Sequence, residues 1–314
     1  MKKIFALLMA MMMLLTGCYT PQQKDENSLN IVTTIFAPYD FARSLTADVE
    51  NVNLTMLLKP GMESHTFEPT PKDMITVQNA DVFIYVGGES DEWVNTILDS
   101  IDTTDIRILT LMDCVELYEA EYSDSMEHDH DHEDEQHHEE YDEHVWTSPR
   151  NAMLICERIK GGLIEAAPQH SAKIEENYAA YKEELNALDE AFIEMFASAK
   201  RNGIIMGDRF PFLYFAKAYG MQYDAAFPGC SAESEPNAKT LASLIDKVNE
   251  KQIPAVFHME LSNEAIADAI CESTGAKKLL LHACHGITSE DFEGGATYLS
   301  LMNQNLEHLK EALN

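Results

Sequence analysis

The sequence predicts an α/β fold of two lobes, each with a small parallel sheet flanked by helices, joined by one long backbone helix. Short β-rich runs alternate with helix-length segments in residues 30–111 and again in residues 203–313. This alternation is typical of parallel sheets that are covered by helices. Between the two series, an apolar stripe at helical spacing continues through residues 171–200 without a Gly or Pro, which predicts one stiff connecting helix.

The N-terminal residues are typical of an exported lipoprotein. Lys2 and Lys3 precede an apolar run at residues 4–15, which is too short as a helix to cross a hydrocarbon core of about 30 Å. Leu-Thr-Gly-Cys then resembles a bacterial lipobox, in which Cys18 is lipidated; an ordinary secretory signal with an incidental cysteine is the alternative. We expect a signal peptide at 1–17, a tether at 18–28 and an extracytoplasmic protein anchored by lipid to the bacterial cell membrane.

The first lobe is expected at residues 29–167. Its β-branched and aromatic runs predict strands, and Pro71 suits the first turn of a helix, as does Pro149 after Ser148. The predicted strands are 30–35, 53–58, 81–87 and 106–111, and the predicted helices are 38–45, 71–79 and 91–100.

The connecting helix is expected at residues 168–201, with Pro168 at its start. Its apolar residues recur in steps of four and three, as on one helix face. They are Ile174, Tyr178, Tyr181, Leu185, Leu188, Phe192 and Met195. Such a stripe is also compatible with coiled-coil pairing; a helix that packs on both lobes fits better, because α/β units flank it.

The second lobe is expected at residues 202–314. The predicted strands are 203–206, 222–227, 255–259 and 279–282, and the predicted helices are 210–219, 237–250, 263–274 and 298–313. Ligands of such folds bind beyond the carboxyl ends of the strands. Two linked lobes therefore predict a binding cleft between their sheets.

Composition restricts the partners. The formal net charge of −32 argues against nucleic acid, which is bound by Lys and Arg, and is compatible with cations. Besides Cys18, the five cysteines Cys114, Cys156, Cys230, Cys271 and Cys284 are odd in number and lack CxxC spacing, so no disulfide framework is expected. Cys156 and Cys271 are expected to be buried thiols on apolar helix faces.

An acidic, histidine-rich loop is expected at residues 116–143. It contains no Lys or Arg and few apolar residues, which predicts mobility. Its clustered histidines are His128, His130, His132, His137 and His138. Because imidazole and carboxylate are ligands of divalent cations, we interpret the loop as a metal-capturing segment; a plain solubilising segment is the alternative.

Two further histidines lie where the cleft is expected. His65 follows a predicted strand in a loop punctuated by Gly61 and several prolines, and His144 lies at the far end of the acidic loop, before the helix that Ser148-Pro149 opens. Shaped loops after strands are common places for ligands.

Several segments resemble a known family. GMESHTFEPTP, DEHVWTSP, FLYFAKAYGM, AESEP and ATYLSLMNQNLEHLKEAL are similar, in order and over nearly the whole mature chain, to the cluster A-I (cluster 9) metal-binding lipoproteins of zinc and manganese ABC importers. The resemblance implies one divalent-cation site between the lobes, with His65 and His144 as first-lobe ligands, and an ABC permease as partner. A His-rich acidic loop before the second ligand implies the zinc branch.

The resemblance leaves the second-lobe ligands open. The family's third ligand, five residues before Tyr214, falls on Arg209, which cannot bind a cation. Its neighbour Asp208 is a candidate, with helix capping or pairing with Arg209 as an equal alternative, and His258 is a rival.

The family's fourth ligand matches His282 after the last predicted strand, with His285 as a rival three residues later. Cys284 lies between these two histidines, so the three side chains form a cluster that suits a soft metal. Cys230 is interpreted as a structural or idle thiol.

The expected function is capture of Zn²⁺ as a transported ligand, and its delivery to an ABC importer by a monomeric lipoprotein. Histidine ligands favour zinc over Mn²⁺, but copper and nickel stay open. A secreted zinc hydrolase, with Glu63 or Glu260 as general base, is a rival from another class, although HExxH and GxSxG are absent from the sequence. A metal buffer or an adhesin is a third interpretation.

Overall fold

A computed structural model describes residues 28–62, 67–121, 141–229 and 238–314 of the chain. Within these ranges it has two four-stranded sheets that are parallel throughout. The predicted fold class is confirmed. No helix of the described residues is long and apolar enough to cross a membrane.

The first sheet is built from the first half of the chain. Its strands are β1 (Leu29–Thr33), β2 (Val52–Met56), β3 (Val82–Tyr85) and β4 (Arg107–Thr110), in the order β2-β1-β3-β4. Its helices are α1 (Phe36–Leu45), α2 (Pro71–Gln78) and α3 (Glu92–Leu98). Thr70 and Asp73 form a capping box at the start of α2, so local chemistry fixes this helix start.

The second sheet repeats this order as β6-β5-β7-β8. Its strands are β5 (Gly203–Phe210), β6 (Gln222–Pro228), β7 (Ala255–His258) and β8 (Lys277–Leu280). The repeated order places the carboxyl ends of β1 and β5, the inner strands, at equivalent points of the two lobes.

The helices α4 (Pro149–Ala166) and α5 (Ser171–Ser198) connect the sheets. All seven residues of the predicted apolar stripe are buried in α5, which packs against α1, α4 and the terminal helix α10 (Tyr298–Leu313). The stripe is thus covered within the chain. The remaining helices are α6 (Leu213–Tyr219), α7 (Ala238–Lys251), α8 (Ala265–Thr274) and α9 (Ser289–Glu293).

Most predicted element ends differ from the structure by one or two residues, and the boundary between β5 and α6 was predicted wrongly. The strand expected at 203–206 continues to Phe210, which pairs with Pro228, and the helix expected from residue 210 begins at Leu213. Residues before a proline are disfavoured in helices, and Pro211 follows Phe210 directly. Asp208 therefore lies inside β5, not at a junction of strand and helix.

The largest apolar core extends through both lobes and includes the stripe of α5, Trp146 and Tyr298, while a smaller cluster covers the outer face of each sheet. Cys156 is buried, as predicted, but Cys271 is only half-buried, so the prediction for Cys271 is wrong. The lobes share one continuous core behind the site.

Candidate metal site between the lobes

The loop after β8 joins the two lobes. The indole Nε1 of Trp146 donates to the carbonyl of Ala283 at 2.8 Å, and Phe36 N donates to the carbonyl of His285 at 3.1 Å. Gly61 N donates to Ile287 O at 2.7 Å. Since Phe36, Gly61 and Trp146 belong to the first lobe, this second-lobe loop (residues 282–287) is held against it at several points.

His144 is buried and oriented by a carboxylate. Oδ1 of Asp142 accepts the backbone N–H of His144 at 2.9 Å and lies 3.2 Å from its Nδ1. Because an ionised carboxylate only accepts, this contact places a proton on Nδ1, so that in the neutral ring Nε2 is the nitrogen with the lone pair. A carboxylate on the distal nitrogen is the usual arrangement behind a metal-binding histidine.

Second-lobe residues hold Asp142 and His144 in place. Tyr214 donates its hydroxyl to the carbonyl of Asp142 at 2.8 Å. A side chain at Gly229 would place its Cβ 3.1 Å from Asp142 Oδ2 and 3.3 Å from His144 Cε1. The absence of a side chain at Gly229 therefore lets the end of β6 approach Asp142 and His144 closely.

His285 faces His144 across the boundary between the lobes. Their ring centroids are 5.5 Å apart, and both rings also contact Trp146, with centroid distances of 5.4 and 5.3 Å. Two imidazoles bound to one tetrahedral zinc at about 2.0–2.1 Å have centroids about 5 Å apart. The spacing is thus compatible with a shared metal ion, and the T-shaped arrangement of the rings is also that of a packing contact.

His282 has a different environment. Its Nδ1 accepts the backbone N–H of Cys284 at 2.9 Å, and its main chain is paired with the amide of Asn305 in α10. A neutral ring that accepts at Nδ1 carries its proton on Nε2, and this buried Nε2 has no hydrogen-bond partner among the described residues. Binding a metal at Nε2 would require that proton to move to Nδ1, which lies 3.6 Å from Glu260 Oε1 and would then no longer accept the N–H of Cys284.

Cys284 lies between the two histidines. Its side chain is fully buried, and burial raises the pKa of the thiol well above its usual range. The thiolate, and not the thiol, binds metals, so a metal ion at this loop would have to displace the thiol proton.

The remaining second-lobe candidates lie on neighbouring strands. Asp208 Oδ1 accepts the backbone N–H of Arg209 at 2.8 Å, and Asp208 Oδ2 accepts the backbone N–H of Met259 at 3.1 Å. His258 ends β7, and its Nδ1 lies 3.0 Å from the carbonyl of Met259. Both are at the carboxyl edge of the second sheet.

Other predicted residues fall outside the described ranges. They are His65, Glu63, Cys18, Cys230 and the loop histidines His128, His130, His132, His137 and His138. Within the described residues no group of three or more His, Cys, Asp and Glu side chains is placed to hold a metal, so the pair of His144 and His285 is the part of a site that can be seen.

Two buried carboxylates lie behind His144. Glu143 accepts from the backbone N–H of Ser90 at 3.0 Å and from its hydroxyl. Asp91 accepts from Val86 N at 2.6 Å and from Thr34. Burial, with a contribution from the charge of Glu143, raises the pKa of Asp91 to about 7.

Sequence reasoning missed the supporting residues. The sequence suggests Glu260 only as a general base, and it does not mark Trp146 or Asn305 as parts of the same site. Asp142 had a usable signal, because a carboxylate two residues before a histidine can reach its ring.

Comparison with known proteins agrees with this architecture. Residues 31–312 match the family model described as ZnuA, zinc-uptake complex component A, periplasmic. The chain is 34% identical over 311 residues to the zinc-binding lipoprotein AdcA of Streptococcus pneumoniae, covering 99% of this chain and 61% of that protein. It is 28% identical to the high-affinity zinc uptake system protein ZnuA of Bacillus subtilis, covering 91% of this chain and 88% of that protein.

A solved structure supports the same relationship. The crystal structure of the Zn(II)-bound ZnuA-like domain of Streptococcus pneumoniae AdcA superposes with a TM-score of 0.74 at 30% identity, covering 91% of this chain and 99% of that chain. The chain thus spans about 61% of the length of the AdcA relative and nearly all of its ZnuA-like domain. The family match covers most of the chain, and the chain belongs to the ZnuA family of periplasmic zinc-uptake components.

Proposed function

We propose that this chain captures one Zn²⁺ ion between its two lobes and delivers it to the permease of an ABC importer. The observation that carries the proposal is the pair of buried histidines, His144 and His285, whose rings face each other at 5.5 Å. One comes from each half of the chain, and the first has its Nδ1 held by Asp142.

The comparisons support zinc as the cargo. AdcA is named a zinc-binding lipoprotein, and its ZnuA-like domain has been solved with Zn(II) bound. Nitrogen donors favour zinc over manganese, which prefers oxygen. Copper would bind such nitrogens more strongly than zinc by intrinsic affinity, so selectivity depends on a near-tetrahedral geometry.

The proposed ligand set combines the visible pair with residues that the sequence selects. His144 and His285 are the central ligands, and His65 is the third, by its motif. Asp208 is the fourth candidate, with His258 as its rival. His282 shapes the loop that carries His285 and is not proposed as a ligand.

The remaining parts of the chain serve this task. We propose lipid attachment at Cys18 after removal of residues 1–17, and metal capture by the histidines of the acidic loop. The lobes at 29–167 and 202–314 and the helix at 168–201 form the binding unit. We propose that it acts as a monomer.

The test is zinc stoichiometry and affinity, measured by competition with a chromophoric chelator. We compare the wild type with His144→Ala/His285→Ala, with His308→Ala as the control, because His308, on α10, is paired with the carbonyl of Leu280 at the end of β8. One tight zinc that is lost only in the double variant supports the proposal. A wild type that binds zinc no more tightly than the double variant would refute it.

A second variant separates the site from the acidic loop. Glu119 and Tyr141 form an antiparallel bridge, so residues 122–140 can be removed while the remaining ends stay adjacent and Asp142 is kept. A tight zinc that survives this deletion excludes a pure metal buffer. Loss of all tight binding would favour the buffer.

Catalysis is not proposed. Both oxygens of Glu260, a candidate general base, already accept backbone N–H groups, from Ala283 at 2.7 Å and from His285 at 3.2 Å. A general base must reach the proton it removes. Glu260 thus holds the backbone of the loop after β8.

A further inference from the structure

Glu260 is a buried carboxylate just beyond β7, 6% exposed. Its Oε2 accepts the N–H of Ala283 at 2.7 Å, and its Oε1 accepts the N–H of His285 at 3.2 Å. One carboxylate thus binds two N–H groups of the loop after β8. Carboxylates that bind backbone N–H groups make hydrogen bonds about twice as strong as neutral ones.

The loop needs such a partner because its backbone is strained. Cys284, between the two donors, has φ of 57°, in the left-handed region that is unfavourable for a residue other than glycine. Turns with this conformation direct neighbouring N–H groups toward one anion. Glu260 supplies that anion and stabilises the turn.

The opposite side of the loop is held by the first lobe. The carbonyls of Ala283 and His285 accept from Trp146 Nε1 and Phe36 N, respectively. At residues 283 and 285 the N–H groups therefore bind Glu260 of the second lobe, and the carbonyl groups bind the first lobe. This double attachment fixes the backbone from which the ring of His285 reaches His144.

We propose that Glu260 is a positioning residue for metal binding, which fixes the ring of His285 against His144 through the backbone of residues 283–285. The inference rests on the proposed zinc site and assigns no metal contact to Glu260 itself. The buried charge of Glu260 is a competing explanation, since any anion near the site attracts a cation.

Two substitutions separate position from charge. Glu260→Gln keeps the size but replaces one acceptor by an NH₂ group, which cannot accept from a backbone N–H. Glu260→Asp keeps the charge but is one methylene shorter, so it cannot reach both donors. Asp224→Asn is the matched control, because Asp224 is a buried carboxylate in the same lobe, on β6, paired with Lys247.

The first readout is zinc affinity of the full-length chain, measured by competition with a chromophoric chelator. Glu260→Gln and Glu260→Asp are expected to bind zinc about 10–100-fold more weakly, as for other supports of metal ligands, and Asp224→Asn as the wild type does. Wild-type affinity in Glu260→Gln would overturn the inference. Wild-type affinity in Glu260→Asp alone would assign the effect to charge.

The second readout identifies the donors. At saturating Co²⁺, with one equivalent bound, the absorption bands of Glu260→Gln are expected at the wild-type wavelengths, because the histidine donors are unchanged. Shifted bands would make Glu260 a ligand and overturn its positioning role.

The third readout needs no metal, so it separates this inference from the proposed function. In the metal-free chain, ring protons of His144 and His285 are expected to give a nuclear Overhauser cross-peak in the wild type and in Asp224→Asn. The cross-peak is expected to be lost in Glu260→Gln. Its persistence there overturns the positioning role even if the wild type binds no zinc, whereas absent zinc binding with a lost cross-peak refutes the proposed function alone.

Discussion

The two histidines of the loop after β8 are expected to respond differently to removal. The ring of His285 lies against His144, while the ring of His282 accepts the N–H of Cys284. We predict that His285→Ala removes a zinc ligand and that His282→Ala mainly destabilises the loop.

The magnitudes follow from these contacts. Structural zinc sites with four ligands bind with about 10–16 kcal/mol, or about 3 kcal/mol per ligand, so His285→Ala should weaken zinc binding by about 100-fold or more. His282→Ala leaves the buried Cys284 N–H without its acceptor, which costs about 1–3 kcal/mol of folding stability. Its effect on zinc affinity should not exceed about tenfold, because His285 keeps its other supports.

The assay combines two measurements on the same samples. Competition with a chromophoric chelator gives the zinc affinity, and chemical denaturation of the metal-free chain gives the free energy of unfolding. His308→Ala is the control for loss of a histidine that contacts this region without belonging to the site, since its Nδ1 is 2.7 Å from Leu280 O.

One result would refute the reasoning. If His282→Ala abolished tight zinc binding while His285→Ala retained it, the metal would bind His282, and the tautomer assigned from the Cys284 hydrogen bond would be wrong. The facing rings of His144 and His285 would then be a packing contact.

Three other perturbations test separate parts of the structure. Asp142→Ala removes the acceptor of His144 Nδ1 and should weaken zinc binding about 10–100-fold, while Asp142→Asn, which keeps an acceptor oxygen, should lose less; equal losses in a chelator titration would argue against ring orientation by Asp142. The pKa of Asp91 is raised from 3.8 to about 7, so between these pH values the folded chain keeps a proton that the unfolded chain releases. The contribution of this proton to the free energy of unfolding is full below about pH 4 and is lost as pH rises through about 7. Asp91→Asn should therefore gain up to about 4 kcal/mol relative to the wild type between pH 4 and pH 8, measured by urea unfolding at both values; no change in the difference with pH would contradict the assignment. Thr70→Ala breaks the capping box of α2 and should lower the free energy of unfolding by about 1 kcal/mol, with Thr104→Ala, an exposed loop threonine, as the comparison.

The predictions were right where the hydrophobic periodicity was strong, and wrong where contacts between distant residues determine the end of an element or the burial of a side chain. The α5 stripe was visible because all its apolar residues fall on one helix face, and each of them is buried. The end of β5 was not visible in the sequence, since the pairing of Phe210 with Pro228 depends on a strand that follows later in the chain. The half-exposure of Cys271 likewise depends on how far α8 is covered by its neighbours.

The sequence by itself determined the fold class, the pair of lobes and His144 as a candidate ligand, because alternating patterns and a histidine beside an acidic segment are local features. It could not rank His285 above His282, since both follow the same strand. Only the tertiary structure distinguishes the surroundings of the two rings, since the N–H of Cys284 donates to His282 and the ring of His285 faces His144. The reason is physical: the environment of a side chain depends on contacts between lobes, and residues 144 and 285, far apart in the chain, meet only in the folded structure.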